Sequence, residues 1–214
     1  MIYLEETLNL FPPSPETLDT LVGLAREQLL GLCRQLGVRL VAAWYSDVEL
    51  FCQTTQIFEF EDREALRAFR IRASRERAWG EYLARLEQLA PERHSRLLES
   101  LGPVPPETLH EAIAQSQEAP LGAYTLAILE VAPGRMSDFV AGLTEGAKNL
   151  PIVASWRPIA GRPNEVIDLW KGALRQSGYQ PADDRSRQFF RTLRERAPRE
   201  RLVTVYTLPY SPLR

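Results

Sequence analysis

The chain has 214 residues, 44% of them hydrophobic and 25% charged, which is enough to bury one large core or two small ones and does not suit a disordered chain. Lys and Arg number 26 against 28 Asp and Glu, a net charge of -2, so no global field draws the chain onto nucleic acid or an anionic membrane. The longest apolar runs, such as Leu40 to Trp44 and Ala123 to Leu129, fall far short of the roughly 20 residues a membrane span needs, and Glu5 and Glu6 stand where a signal peptide is basic, which predicts a cytoplasmic protein.

In chain order, Ile2-Tyr3-Leu4 opens a strand that proline closes after Leu10-Phe11. Ser14 caps the next segment with Pro15 at its first helical position, and Leu18, Leu21, Val22, Ala25, Leu29, Leu32, Cys33 and Leu36 form one apolar stripe until Gly37 ends the helix. Val41-Ala42-Ala43-Trp44 reads as a largely buried strand. Thr54 through Phe60, rich in β-branched and aromatic residues, reads as a second. Helical stretches follow from Arg63 to Leu89 with a break near Ala73-Ser74, and Arg96-Leu97-Leu98 leads the last strand of this part. Pro105 through Gln117 is a short connecting helix.

The same pattern then runs again. Ala123-Tyr124-Thr125 through Pro133 repeats the opening strand, with tyrosine second and proline at its close. Met136, Phe139, Val140, Leu143, Ala147 and Leu150 repeat the helical stripe, and Pro151 stops it. Val153-Ala154-Ser155-Trp156 repeats the tryptophan strand, and Asn164 through Trp170 the strand after it. The turn between them differs from its counterpart by two residues, so that Thr54 aligns with Asn164, Phe58 with Asp168 and Phe60 with Trp170. Asp184 to Arg196 reads as helix and Arg201 to Val205 as the approach to the final strand. Strand, helix, strand, strand, helix, strand is the ferredoxin-like order, with helices on one face of an antiparallel sheet and the other face bare. Two such units in one chain, 1–104 and 120–214 joined by a linker helix at 105–119, can cover each other's bare faces.

On Ser155-Trp156 through Gly161, Asn164, Val166 and Leu169-Trp170, the second copy resembles the NIPSNAP family, whose members combine a tryptophan strand with a G…N-x-V-x-x-L-W stretch. The first copy keeps Trp44 and runs through an Arg-rich helix into His94-Ser95-Arg96-Leu97-Leu98, but lacks the glycine and the asparagine. The resemblance implies an α+β fold in which two tandem ferredoxin-like units pack sheet to sheet as a single-chain dimeric α/β barrel. That wider superfamily holds cofactor-free monooxygenases, isomerases and heme-handling enzymes as well as proteins without catalysis, so fold alone does not choose an activity.

No phosphate-cradling G-x-x-x-x-G-K-S/T, dinucleotide G-x-G-x-x-G, nucleophile-elbow G-x-S-x-G or C-x-x-C occurs. Cys33 and Cys52 fall at apolar positions of a helix and a strand and read as buried thiols. The arginines between Arg63 and Arg77 alternate with Glu64 and Glu76, the pattern of a solvated helix face. The sequence has two histidines, His94 before a strand and His110 on the linker helix, and no metal-ligand spacing joins them. Side chains alternate along a strand, so Asn164, Val166, Asp168 and Trp170 share a face, where a desolvated Asp168 is a candidate general base.

Tyr3, Trp44, Tyr124, Trp156 and Arg157 could line a cavity of the same kind. The leading expectation is a small-molecule enzyme without metal or organic cofactor, an oxygenase, isomerase or cyclase acting on an aromatic or polyketide-like metabolite. In it Asn164 polarises a carbonyl, Asp168 or His94 moves a proton, and Trp156 and Tyr124 stack on the substrate. The alternatives are a non-catalytic binding or scaffold protein and a heme binder through His94. Either a monomer or a homodimer is compatible with the duplication.

Overall fold

The doubled strand pattern is realised by β1 (Ile2–Asn9), β2 (Arg39–Ser46), β3 (Gln53–Phe60) and β4 (Glu92–Ser100), then by β5 (Ala123–Glu130), β6 (Ile152–Pro158), β7 (Glu165–Lys171) and β8 (Arg199–Thr207). The computed structural model describes residues 1–46, 51–146, 150–172 and 184–214, which leaves Ala147 of the predicted stripe outside the described residues. All pairings are antiparallel and the sheet closes as a barrel in the order β1-β3-β2-β8-β5-β7-β6-β4. Within it the first four strands and the last four have the same internal order, β4-β1-β3-β2 and β8-β5-β7-β6. The pattern predicts two sheets face to face. In the structure their edges also join, β2 to β8 at Trp44 and Tyr45 and β4 to β6 at Leu98 to Ser100, so no strand edge is left open.

The helices form where the periodicity places them. Ser14 accepts the Thr17 amide at the start of α1 (Pro15–Leu24), a π turn (Ala25–Leu29) leads into α2 (Leu30–Leu36), and Gly37 ends it in the left-handed conformation, φ 66°. Asp62 caps α3 (Arg63–Ala73), and the break after Ala73 separates it from α4 (Arg77–Leu89), which Glu76 caps. Outside the second half lie α6 (Met136–Gly146) and α7 (Asp184–Arg196). Between the halves, α5 (Pro106–Glu118) is more than a connection, because Leu109 and Ala112 plug one end of the barrel. Among the described residues no helix is long and apolar enough to cross a membrane.

Three apolar clusters follow from this layering. One fills the barrel, with Trp44, Ile57, Leu126, Trp156, Ile167 and Val203 among its members. A second lies under α1 to α4, and a third under α6 and α7. The tryptophan strands are mostly apolar at their centres, where both of their faces are buried, and each carries a β-bulge, between Leu40 and Ala42 and between Ile152 and Ala154. The bulge turns Leu40 and Ile152 outward to the helices while Trp44 and Trp156, four residues later, point into the barrel, each 2% exposed.

The register corrects the alignment of the two copies. Trp44 faces Thr55 and Trp156 faces Ile167, eleven residues on in each case, so the turns do not differ in length. Gln56, not Phe58, is therefore the counterpart of Asp168, and Phe58, not Phe60, that of Trp170. Two smaller expectations also change. Cys52 lies in the turn before β3 with φ 55°, not on a strand, although it is buried. His94 lies within β4 and not ahead of it.

Beyond β8 the chain crosses back over β2. Leu208 and Leu213 donate backbone hydrogen bonds to Ala43 and Val41 at 2.9 and 3.2 Å, and the Ser211 hydroxyl accepts the Ala43 amide at 2.9 Å. Tyr210 is thereby buried in the cluster under the first-half helices, where its hydroxyl accepts from Gln56 Nε2 at 2.7 Å.

Candidate functional site

The end of the barrel opposite α5 is open, and strand alternation brings charge there. Glu5 on β1 and Arg96 on β4 are cross-strand partners. Arg96 binds Glu5 through Nε to Oε2 and through Nη2 to Oε1 at 3.2 Å, and binds Glu165 at the start of β7 through Nη1 at 2.5 Å. Arg162 adds a bond to the other Glu165 oxygen at 3.1 Å. Both carboxylates are buried. Burial alone would lower the Arg96 pKa, but the hydrogen bonds and charges of Glu5 and Glu165 outweigh it and hold the guanidinium above its ordinary range.

This cluster rims a cavity of about 430 Å³ whose two walls differ. Strands β1 to β4 supply hydrogen-bonding groups, among them Thr7, Ser46, Gln53, Thr55 and His94. Leu126, Ile128, Ile167, Val203 and Val205 from β5, β7 and β8 supply an apolar surface, with Glu165, Arg162 and Arg201 at its rim and Trp44 as the aromatic contribution of the first half. A neighbouring groove of about 630 Å³ shares Ile128, Arg162, Glu165 and Arg201 and contains Asn164, Arg199 and Glu200. An apolar surface with a few convergent polar groups is the usual make-up of a small-molecule site.

The structure divides the predicted site residues among several places. Trp44 and His94 line the mouth cavity. His94 Nε2 lies 2.9 Å from Glu92 Oε1, and that bond, with one from Asn9, holds Glu92 below the usual carboxylate range. Tyr3, Tyr124 and Trp156 also point into the barrel but belong to its plugged end. There the rings of Tyr3 and Trp156 meet edge to face at 5.6 Å and the Tyr124 hydroxyl donates to the Arg214 carbonyl at 3.0 Å. Burial pushes both phenols up, Tyr124 to about 12, so each stays neutral at physiological pH.

Asn164 sits in the neighbouring groove. Arg157 faces outward and pairs with Glu99 at 2.6 Å across the seam of β4 and β6, away from the cavity. Asp168 faces the helices, not the barrel. It is 1% exposed, accepts the Ser155 hydroxyl at 2.5 Å, and burial lifts its pKa to about 7 against that hydrogen bond. Asn164 and Asp168 therefore do not converge with the barrel aromatics, because the inward residues of β7 are Glu165, Ile167 and Leu169. Among the described residues no cluster of His, Cys, Asp and Glu could hold a metal ion.

Sequence reasoning missed Glu5, Arg96 and Glu165. The available signal was their parity: each lies two residues from an inward apolar residue of its own strand, Tyr3, Leu98 and Ile167, so three charges were due inside a barrel.

No protein-family model and no curated protein matches the chain. Among solved structures, a proposed monooxygenase from Lactobacillus acidophilus superposes with a TM-score of 0.65 at 10% identity, over 99% of this chain and 96% of that one. An anthrone oxidase-like protein gives 0.52 at 11% identity, over 96% and 90%. A NIPSNAP domain protein from Burkholderia xenovorans gives 0.44 at 17% identity and covers 49% of this chain and 99% of its own. At such identities the full-length likenesses speak for fold, and the fold is that of the dimeric α/β barrel proteins.

Proposed function

We propose that the chain is a small-molecule enzyme that takes an aromatic or polyketide-like ligand into the open barrel mouth. In this reading it consists of two tandem ferredoxin-like units, 1–104 and 120–214, with 105–119 as linker and plug. The observation that carries the reading is the two-sided cavity, which suits a flat molecule with one oxygenated edge. Leu126, Ile167 and Val203 take the apolar face, while Thr7, Gln53 and Thr55 hydrogen-bond the oxygens on the other side. His94, tied to Glu92, is the group at the rim placed to take a proton from an enolisable or phenolic position. The electron pair then moves onto the ligand oxygen, which faces Gln53 and the cationic Arg96. Oxygenation, isomerisation and cyclisation of such ligands all begin with this step. The reading is in keeping with the names of the monooxygenase and anthrone oxidase-like neighbours.

Anthrone, a tricyclic enolisable ketone, is a suitable probe. Quenching of tryptophan fluorescence, to which Trp44 at the mouth contributes, reports binding, and absorbance and oxygen uptake report turnover. Leu126→Trp, which fills the mouth, is expected to abolish both signals, and His94→Gln to leave binding while lowering turnover about a hundredfold. Binding unaffected by Leu126→Trp would place the site elsewhere. Binding with no turnover in the unaltered protein would favour the non-catalytic alternative, which the pairing of Arg96 with two carboxylates also suits.

A further inference from the structure

The groove beside the mouth plays no part in the proton transfer, and its charges are layered. Two of its acids lie low, the side chains of Glu165 and Glu200 being 8% and 16% exposed. Arg96 and Arg162 bind Glu165 and Arg194 binds Glu200, so both carboxylates are matched, in part by cations from outside the groove. The guanidiniums stand above them: the Arg162 side chain is 78% exposed and that of Arg199 80%. Among the described lining residues only Glu130, at the outer end of β5, is an open acid, and Arg199 meets it at 3.2 Å.

Strand alternation aims these cations. Arg199 and Arg201 lie two apart on β8, on the same face as Val203 and Val205, and pair across to Glu130 and Ile128 of β5. Arg162 and Arg199 each use Nη1 on a carboxylate, which fixes the guanidinium and leaves the other donors of its planar fork for a guest. The groove also adjoins the mouth, because Ile128, Arg162, Glu165 and Arg201 line both. Ile128 carries the apolar surface of Leu126 and Ile167 outward, so a ring resting in the mouth has one end directed past Arg201 towards Arg199.

We propose that the groove is an anion subsite of the mouth, in which Arg162, Arg199 and Arg201 take the carboxylate of a flat aromatic acid whose rings occupy the barrel mouth. The proposal rests on the mouth being a ligand site and adds the class of ligand, an acid in place of a neutral ring. A carboxylate forms charge-assisted bonds to guanidinium donors, which are stronger than those of a neutral amide of the same shape.

Calorimetric titration of the full chain with anthraquinone-2-carboxylate and the neutral anthraquinone-2-carboxamide tests this, with anthrone as the control for the mouth. The acid is expected to bind about tenfold tighter than the amide, and its advantage to shrink as salt is raised. Arg199→Gln and Arg201→Gln should each bring the acid close to the amide, and Arg199→Gln should leave anthrone binding unchanged, because Arg199 lies outside the mouth. Leu126→Trp should abolish binding of all three. Acid and amide bound equally, with anthrone still bound, would overturn the anion subsite and leave the mouth reading in place. A preference for the acid that survives both arginine replacements, or the filled mouth, would overturn it as well. No binding of any of the three would overturn both.

Discussion

Arg96 on β4 and Glu165 on β7 are joined by a 2.5 Å hydrogen bond although their strands are not neighbours in the sheet, so the bond ties the two halves across the barrel interior. With Glu5 and Arg162 they form a cluster in which Arg96 serves two buried carboxylates and Arg162 shares one of them, Glu165.

Arg96→Met should therefore destabilise the protein at neutral pH by on the order of 2 to 3 kcal/mol. That is less than for a fully buried pair, because the guanidinium is about one-third open to solvent. Adding Glu5→Gln and Glu165→Gln should recover much of the loss, since the penalty is the uncompensated charge left behind. Denaturant midpoints of the single and triple variants check this. Equal destabilisation in both would show that packing of the side chain matters more than its charge.

Asp168 makes stability depend on pH in a set direction. Its pKa rises on folding from the ordinary carboxylate range to about 7, so the folded state favours the protonated acid. The stabilisation is complete below about pH 4 and is lost as pH rises through about 7. The part of the stability profile between about pH 4 and pH 7 due to this group should vanish in Asp168→Asn, which keeps a polar group beside Ser155. Unfolding at several pH values, parent against variant, measures the difference.

Trp44→Ala and Trp156→Ala should each cost on the order of 3 to 5 kcal/mol, because both indoles are buried inside the barrel. Chemical denaturation midpoints left unchanged by both replacements would contradict the burial.

Removal of Tyr210 to Arg214 should lower the melting temperature by several degrees, since it strips a buried tyrosine and the Ser211 and Leu213 hydrogen bonds from β2. Tyr210→Phe should lose much less. Thermal melts of the two proteins separate the contribution of the whole strap from that of one hydroxyl.

What was legible in the sequence was local. Tyr3 with Tyr124, and the Val-Ala-Ala-Trp and Val-Ala-Ser-Trp runs, show that the pattern is used twice, because strand and helix periods are written in neighbouring residues. The two seams that close the barrel have no such signature. Trp44 pairs with Thr207 only because the whole sheet curls, and Ser100 with Trp156 likewise. The same distance in sequence hid the mouth, whose charged members come from β1, β4 and β7. Asp168 lies apart from the mouth for a different reason. Alternation correctly groups it with Val166 and Trp170, but which face of β7 looks into the barrel depends on closure, and the polar face turned out to lie under helices.

The unlike walls of the mouth bear on how a guest would lie there. Were the barrel assembled from two identical chains about a twofold axis, each feature of one wall would recur on the other, and a flat guest would fit in two poses of equal energy. Because all eight strands belong to one polypeptide, Gln53 and Thr55 face Ile167 and Val203 instead of copies of themselves. A guest with an oxygenated edge then has a single preferred heading, and a reagent arriving from solvent meets the same edge of it every time.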